Sequence, residues 1–90
     1  MHFHQPGASI MKVQVQIRLK KGVADPEGDN TLKALNLLGF KGLSAVHSAK
    51  LFEIDLEEEN RDMVKEQAEE MCRRLLANPV IQDYKIELTP

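Results

Sequence analysis

Only one cysteine, no tryptophan and 4% aromatics occur in these 90 residues. Cys72 has no second thiol with which to close an intrachain disulfide and no ligand-spaced companion for zinc, a usage that fits a reducing compartment, so cytoplasm is the expectation. Few aromatics leave few platforms for stacking bases, and a formal net charge of −2 lacks the electrostatic footprint of a nucleic-acid binder. No apolar run approaches the roughly 20 residues that span a bilayer, and the first residues lack the basic and then apolar pattern of a secretory signal. The five glycines are scattered and form neither G-x-x-x-x-G-K-[ST] nor G-x-G-x-x-G, which leaves no glycine-rich phosphate loop.

What is present is one small domain. Ninety residues bury only about 60–65% of their unfolded surface, so a chain of this size commonly draws stability from partners. Residues 1–10, MHFHQPGASI, show no periodicity and read as an extension outside the domain of residues 11–90. The pair His2 and His4 supplies two imidazoles to a metal at most, too few for a site on a loose segment.

From Lys12 to Lys20 the alternation is unbroken. Val13, Val15, Ile17 and Leu19 face one way, and Lys12, Gln14, Gln16, Arg18 and Lys20 the other, a strand with one dry and one wet face. Asp25-Pro26 predicts a helix start, with an N-cap followed by proline at the first helical position. Leu32, Leu35 and Leu38 form its stripe, flanked by Ala34 and Leu37, and Gly39 ends it. Gly28 lowers helix propensity in the first turn and points to a close backbone approach or an irregular helix start.

Leu43 to Glu57 is the least regular stretch. Phe52, Ile54 and Leu56 alternate with charged residues as a strand does, but the same parity carried backwards meets Lys50 and Ser48. Either a bulge near Ser48-Ala49 resets the register and turns Lys50 outward, or two strands meet at a tight bend. The absence of Asn-Gly or a similar turn pair favours one long bent strand. Glu57, Glu58 and Glu59 before Asn60 suit a helix N-terminus. The helix stripe is Val64, Ala68, Met71 and Leu75, widened by Met63, Cys72 and Leu76, and Asn78-Pro79 stops it. Tyr84, Ile86 and Leu88 then alternate in a closing strand.

The expected fold is therefore α+β, a two-layer β-α-β-α-β sandwich related to the ferredoxin-like order, with an antiparallel sheet and two helices on one face. Uncovered edges and an uncovered face favour self-association as a homodimer or higher even oligomer. No reaction centre assembles from these residues. Cys72 sits on an apolar stripe and packs as a small hydrophobe rather than pairing with His47 as a nucleophile, and Gly39-Phe40-Lys41-Gly42 is a helix-to-strand connection rather than a nucleic-acid clamp.

The segment from Met71 to Tyr84, M-C-R-R-L-L-A-N-P-V-I-Q-D-Y, closely resembles the most characteristic stretch of the PurS family, approximately M-C-x-x-L-L-A-N-P-V-I-E-D-Y. Asp25-Pro26-Glu27-Gly28 is similar to that family's D-P-x-G, and the likeness extends over about residues 11–88. One departure is Ala49-Lys50 where the family commonly has Gly-Lys. The resemblance implies a non-catalytic subunit of phosphoribosylformylglycinamidine synthase, which uses glutamine and ATP in purine biosynthesis. It further implies a dimer that bridges the PurL synthetase and the PurQ glutaminase and assists ammonia transfer. This chain would then bind no cofactor of its own, ATP and magnesium being used by the synthetase. Candidate partner-contact residues are Lys50, His47, Arg18, Asn78 and Tyr84. The alternative from another class is a small-molecule-binding regulatory module of ferredoxin-like type, which fold alone does not separate from an adaptor.

Overall fold

A computed structural model describes residues 10–89, so most of the proposed N-terminal extension lies outside the described residues. The elements run β1 (Met11–Leu19), α1 (Pro26–Leu37), β2 (Ala49–Leu56), α2 (Arg61–Met71) and β3 (Gln82–Thr89), with a single π-turn, Cys72–Leu76, continuing α2. The sheet is antiparallel throughout in the order β2-β1-β3, so the first strand made is the central one. This is the α+β architecture of three strands and two helices that the alternation and capping signals predict.

Periodicity places the core. Met11, Val13, Val15 and Ile17 alternate inward along β1 and meet Val64, Ala68 and Cys72 from the α2 arm, with Ala77 closing one end. Phe52, Ile54 and Leu56 on β2 and Ile86 and Leu88 on β3 pack at its margins. Fully burying a valine-sized side chain contributes about 1.5–3 kcal/mol, so this thin cluster supplies most of the sheet's cohesion.

Helix starts follow the residues that predict them. The Asn60 side chain accepts hydrogen bonds from the Asp62 and Met63 amides at 3.0 and 3.2 Å, and Glu58 accepts the Asn60 amide at 3.1 Å. At the far end of α1 the Gly39 amide donates to Asn36 and the Phe40 amide to Leu35, a Schellman closure that requires the positive φ of +97° at Gly39.

Three details differ from the sequence expectation. The middle strand is neither long nor bent: pairing with β1 runs without a bulge from Met11↔Leu56 to Arg18↔Ala49, and residues 41–48 precede it as irregular chain. Lys50 thus lies opposite Ile17 on the helix-bearing face. It stays exposed because no helix covers that corner, and no register change is needed to reach solvent. Leu75 is 83% exposed rather than part of the stripe. The π-turn, in which the Ala77 amide donates to the Cys72 carbonyl at 3.0 Å, inserts one extra residue, so Leu76 and Ala77 succeed Cys72 on the inner face and Leu75 is turned out.

The third difference is the largest. α2 packs on β1 and β3, whereas α1 makes no substantial contact with any other element. It projects as an arm, and the molecule measures 52 × 31 × 20 Å with a radius of gyration of 17.3 Å, against about 12 Å for a compact domain of this length. Leu37 and Leu38 stand 89% and 74% exposed on it. The Leu32-Leu35-Leu38 stripe is amphipathic, but no element of its own chain lies against it.

Candidate functional site

The arm is tied down at its root by one carboxylate. Asp25 caps α1 by accepting the Gly28 amide at 3.0 Å, and the same carboxylate accepts the Ser48 amide at 2.8 Å and the Ser48 hydroxyl at 2.7 Å. One side chain therefore joins the start of the helix to the end of the returning segment. Gly28 makes this possible because a Cβ there would collide with the Val46 carbonyl oxygen and with Asp25. The sequence signal of a glycine in a first helical turn is explained by that close approach.

A test follows from Gly28. Alanine would gain about 0.5–1 kcal/mol in helix propensity, but forcing a methyl group against a backbone carbonyl costs about 1–3 kcal/mol, and the carbonyl cannot rotate away as a side chain would. Gly28→Ala is expected to destabilise by about 1 kcal/mol net, which lowers the thermal midpoint by roughly 4–8 °C in a domain of this size. Calorimetry decides it; an unchanged or raised midpoint would show that the root has room to give.

Acid should loosen the same junction. The Ser48 hydroxyl first, then the Gly28 and Ser48 amides, hold the Asp25 carboxyl below its ordinary value of 3.8. A carboxyl with a folded-state pKa below its unfolded one contributes stability above the unfolded value and loses it as pH falls through the folded one. Hydrogen exchange at the Ser48 and Gly28 amides is expected to accelerate below about pH 4 beyond its intrinsic pH trend, more steeply than in Asp25→Asn.

Beside this root lies a cleft of about 520 Å³ that contains Arg18, Lys20, Lys21, Asp25, His47, Ser48 and Asp83. Arg18 and His47, predicted separately, are brought together here. Lys20 and Lys21 were not among the predicted residues, although Lys20-Lys21-Gly22 directly after a strand is a readable turn with cationic side chains; Gly22 adopts φ +88° and the Val23 amide donates back to Lys20. Tyr84, 39% exposed, lies in an adjoining cleft with Arg73, Pro79 and Gln82. Asn78 is committed within its turn, its side chain accepting the Val80 amide at 3.0 Å and its own amide donating to Gln82 at 2.7 Å. Lys50 stands apart at the start of β2.

Among the described residues Cys72 and His47 play separate parts. Cys72 is fully buried, and desolvation foremost, then the Glu69 charge, pushes its thiol up, away from the thiolate that reacts. His47 lies in the returning segment near Asp25 instead. Among the described residues no cluster of three His, Cys, Asp or Glu side chains is placed to hold a metal, and no helix is long and apolar enough to cross a membrane.

Comparison with known proteins gives a consistent result. Residues 12–90 match the family model for PurS, phosphoribosylformylglycinamidine (FGAM) synthase. The phosphoribosylformylglycinamidine synthase subunit PurS of Archaeoglobus fulgidus is 55% identical over 76 residues, 84% of this chain and 95% of the relative. The crystal structure of Methanocaldococcus jannaschii PurS, one of the subunits of formylglycinamide ribonucleotide amidotransferase in the purine biosynthetic pathway, is 51% identical. It superposes with a TM-score of 0.79 over 88% of this chain and 95% of that one. A chain in the structure of PurLQS from Thermotoga maritima, 23% identical with a TM-score of 0.81 over 90% of this chain and 99% of that one, shares the fold.

Proposed function

This chain belongs to the PurS family, and from that premise we propose that it works as the non-catalytic adaptor of phosphoribosylformylglycinamidine synthase. It is a subunit of the enzyme that forms FGAM in purine biosynthesis, and its contribution is to join PurL, the ATP-using synthetase, to PurQ, the glutaminase, so that ammonia released at one site reaches the other. ATP and magnesium act on the synthetase, and this chain binds no cofactor for the reaction. The cytoplasm is its place of work.

The observation that carries the adaptor reading is the unsatisfied arm. α2 lies over β1 and β3, which leaves the inward row of β2, Phe52, Ile54 and Leu56, only half-buried at the margin of the core. α1 carries an apolar stripe with no sheet beneath it. Each element has what the other lacks, and within one chain the two make no substantial contact. A symmetric pair in which each α1 lies on its partner's β2 satisfies both seats at once. Such a homodimer presents its polar outer sheet faces twice, which suits a bridge between larger subunits.

Co-purification of all three subunits tests the adaptor role. PurQ is expected to be retained on tagged PurL only when this chain is present, and retention with or without it at equal yield would overturn the role.

A further inference from the structure

The cleft at the root of the arm has a charge composition that neither the fold nor the adaptor role requires. Three cationic side chains, Arg18, Lys20 and Lys21, converge on it with His47. Two carboxylates share the cleft, and both are occupied. Asp25 receives three hydrogen bonds from Gly28 and Ser48, and Asp83 sits 3.7 Å from the Lys20 ammonium. Among the described residues neither Arg18 nor Lys21 lies within ion-pair distance of an acid. Three cations against two engaged carboxylates leave a positive excess in a chain whose formal net charge is −2.

We infer that this cleft binds the phosphate group of a small phosphorylated ligand. The shape is consistent with this: about 520 Å³ falls within the range of roughly 300–1,000 Å³ typical of small-molecule sites. The chemistry is more specific. Guanidinium offers paired donors that match two oxygens of a phosphate, ammonium groups add unpaired positive charge, and a concave wall concentrates their field. Leu19 and Val23 supply a small apolar wall against which the uncharged part of such a ligand rests. The Lys20–Val23 turn, held open by Gly22, sets the two lysines on the rim. A nucleotide and a phosphosugar share the phosphate and differ in the rest, so the assignment is to the phosphate, with both kinds of ligand as probes.

The inference concerns the full chain by itself and stands apart from the adaptor reading. The experiment is titration of the isotope-labelled chain with inorganic phosphate, ribose 5-phosphate, ADP and, as a carboxylate comparison, glutamate, followed by amide shifts. Saturable shifts confined to residues 20–23 and 47–48 with the phosphate compounds, and none with glutamate, are the expected result; ADP against ribose 5-phosphate then tells which ligand body the walls accept. The double variant Arg18→Ala, Lys21→Ala is expected to weaken binding at least tenfold, while Lys65→Ala on α2 leaves it unchanged. Linear shifts spread over all lysines, equal binding of glutamate, or equal weakening by Lys65→Ala would each overturn the assignment. Because the shifts are mapped on the unaltered chain, the test survives a double variant that fails to fold.

Discussion

Leaving this chain out of a reconstituted synthase is expected to lower glutamine-driven FGAM formation by roughly 100-fold, the scale on which tethering two partners raises their effective concentration, while ammonia-driven formation by PurL changes less than twofold. The asymmetry is the point of the experiment. Free ammonia reaches the synthetase by diffusion and needs no second subunit, whereas ammonia made from glutamine must leave one protein and enter another before it is diluted. A subunit that works as an adaptor matters through the second route. Comparable losses in both reactions would instead mean that this chain supports the synthetase's own chemistry, and equal rates with and without it would sink the adaptor role. Lys50→Glu is a finer probe. Its exposed ammonium stands at the corner of the sheet that α2 leaves bare, and a reversed charge there is expected to weaken partner binding and leave the isolated chain folded.

Leu38→Asp is expected to turn the proposed homodimer into monomers. In the single chain Leu38 is 74% exposed, so the substitution costs the monomer little. If the α1 stripe lies on the partner's β2, the new carboxylate must either enter an apolar seat unpaired or keep the helix off it. The cost of an unpaired polar group in such surroundings is at least about 1–3 kcal/mol, and two-fold symmetry makes every substitution count twice. Dimer affinity should fall by roughly 30-fold at the lower limit, since each 1.4 kcal/mol is a factor of ten. Sedimentation equilibrium at micromolar concentration reads the change, and circular dichroism checks that the fold is kept. A Leu38→Asp protein that remains dimeric would place the dimer contact elsewhere, on the sheet edges or the outer face.

These two predictions also mark what could be read from the residues alone. β1 and β3 were legible because each has one dry face, and period-two alternation records that directly. The start of α1 was legible because Asp25 and Pro26 use chemistry that works only at a helix start, while Gly28 left a close approach and an irregular start both open, and the structure has the first. Where sequence reasoning stopped short, the missing information was tertiary. A leucine stripe on α1 says that something covers it, and the nearest sheet is the natural guess; the restraint that prevents it, Asp25 holding Ser48 across 23 residues of sequence, leaves no periodic mark. Lys50 was read as needing a bulge because an inward lysine conflicts with a covered sheet, yet that half of the sheet is not covered. Leu75 was misplaced by counting at the α-helical period through a turn that has one residue more. At the candidate site, Arg18 and His47 could be named separately, but their meeting with Lys20 and Lys21 depends on how residues 41–48 return to the sheet, which no local pattern encodes.

The strand order has a further consequence, for how the chain comes to be folded. β1 is the first strand in sequence and takes the centre, between β2, roughly 40 residues later, and β3, roughly 70 residues later. Neither pairing is local, and separations of this kind slow folding because loop entropy is lost before the contacts that offset it are made. The central strand therefore waits with one edge open until β2 is available and with the other open until the last eight-residue strand of the described chain is. Met11, Val13, Val15 and Ile17 are exposed throughout that interval, beside Lys12, Gln14, Gln16 and Arg18 on the alternate positions. The cations on those alternate positions then act before any partner is met: they keep two waiting copies of β1 from pairing with each other, since like charges brought together along a strand repel.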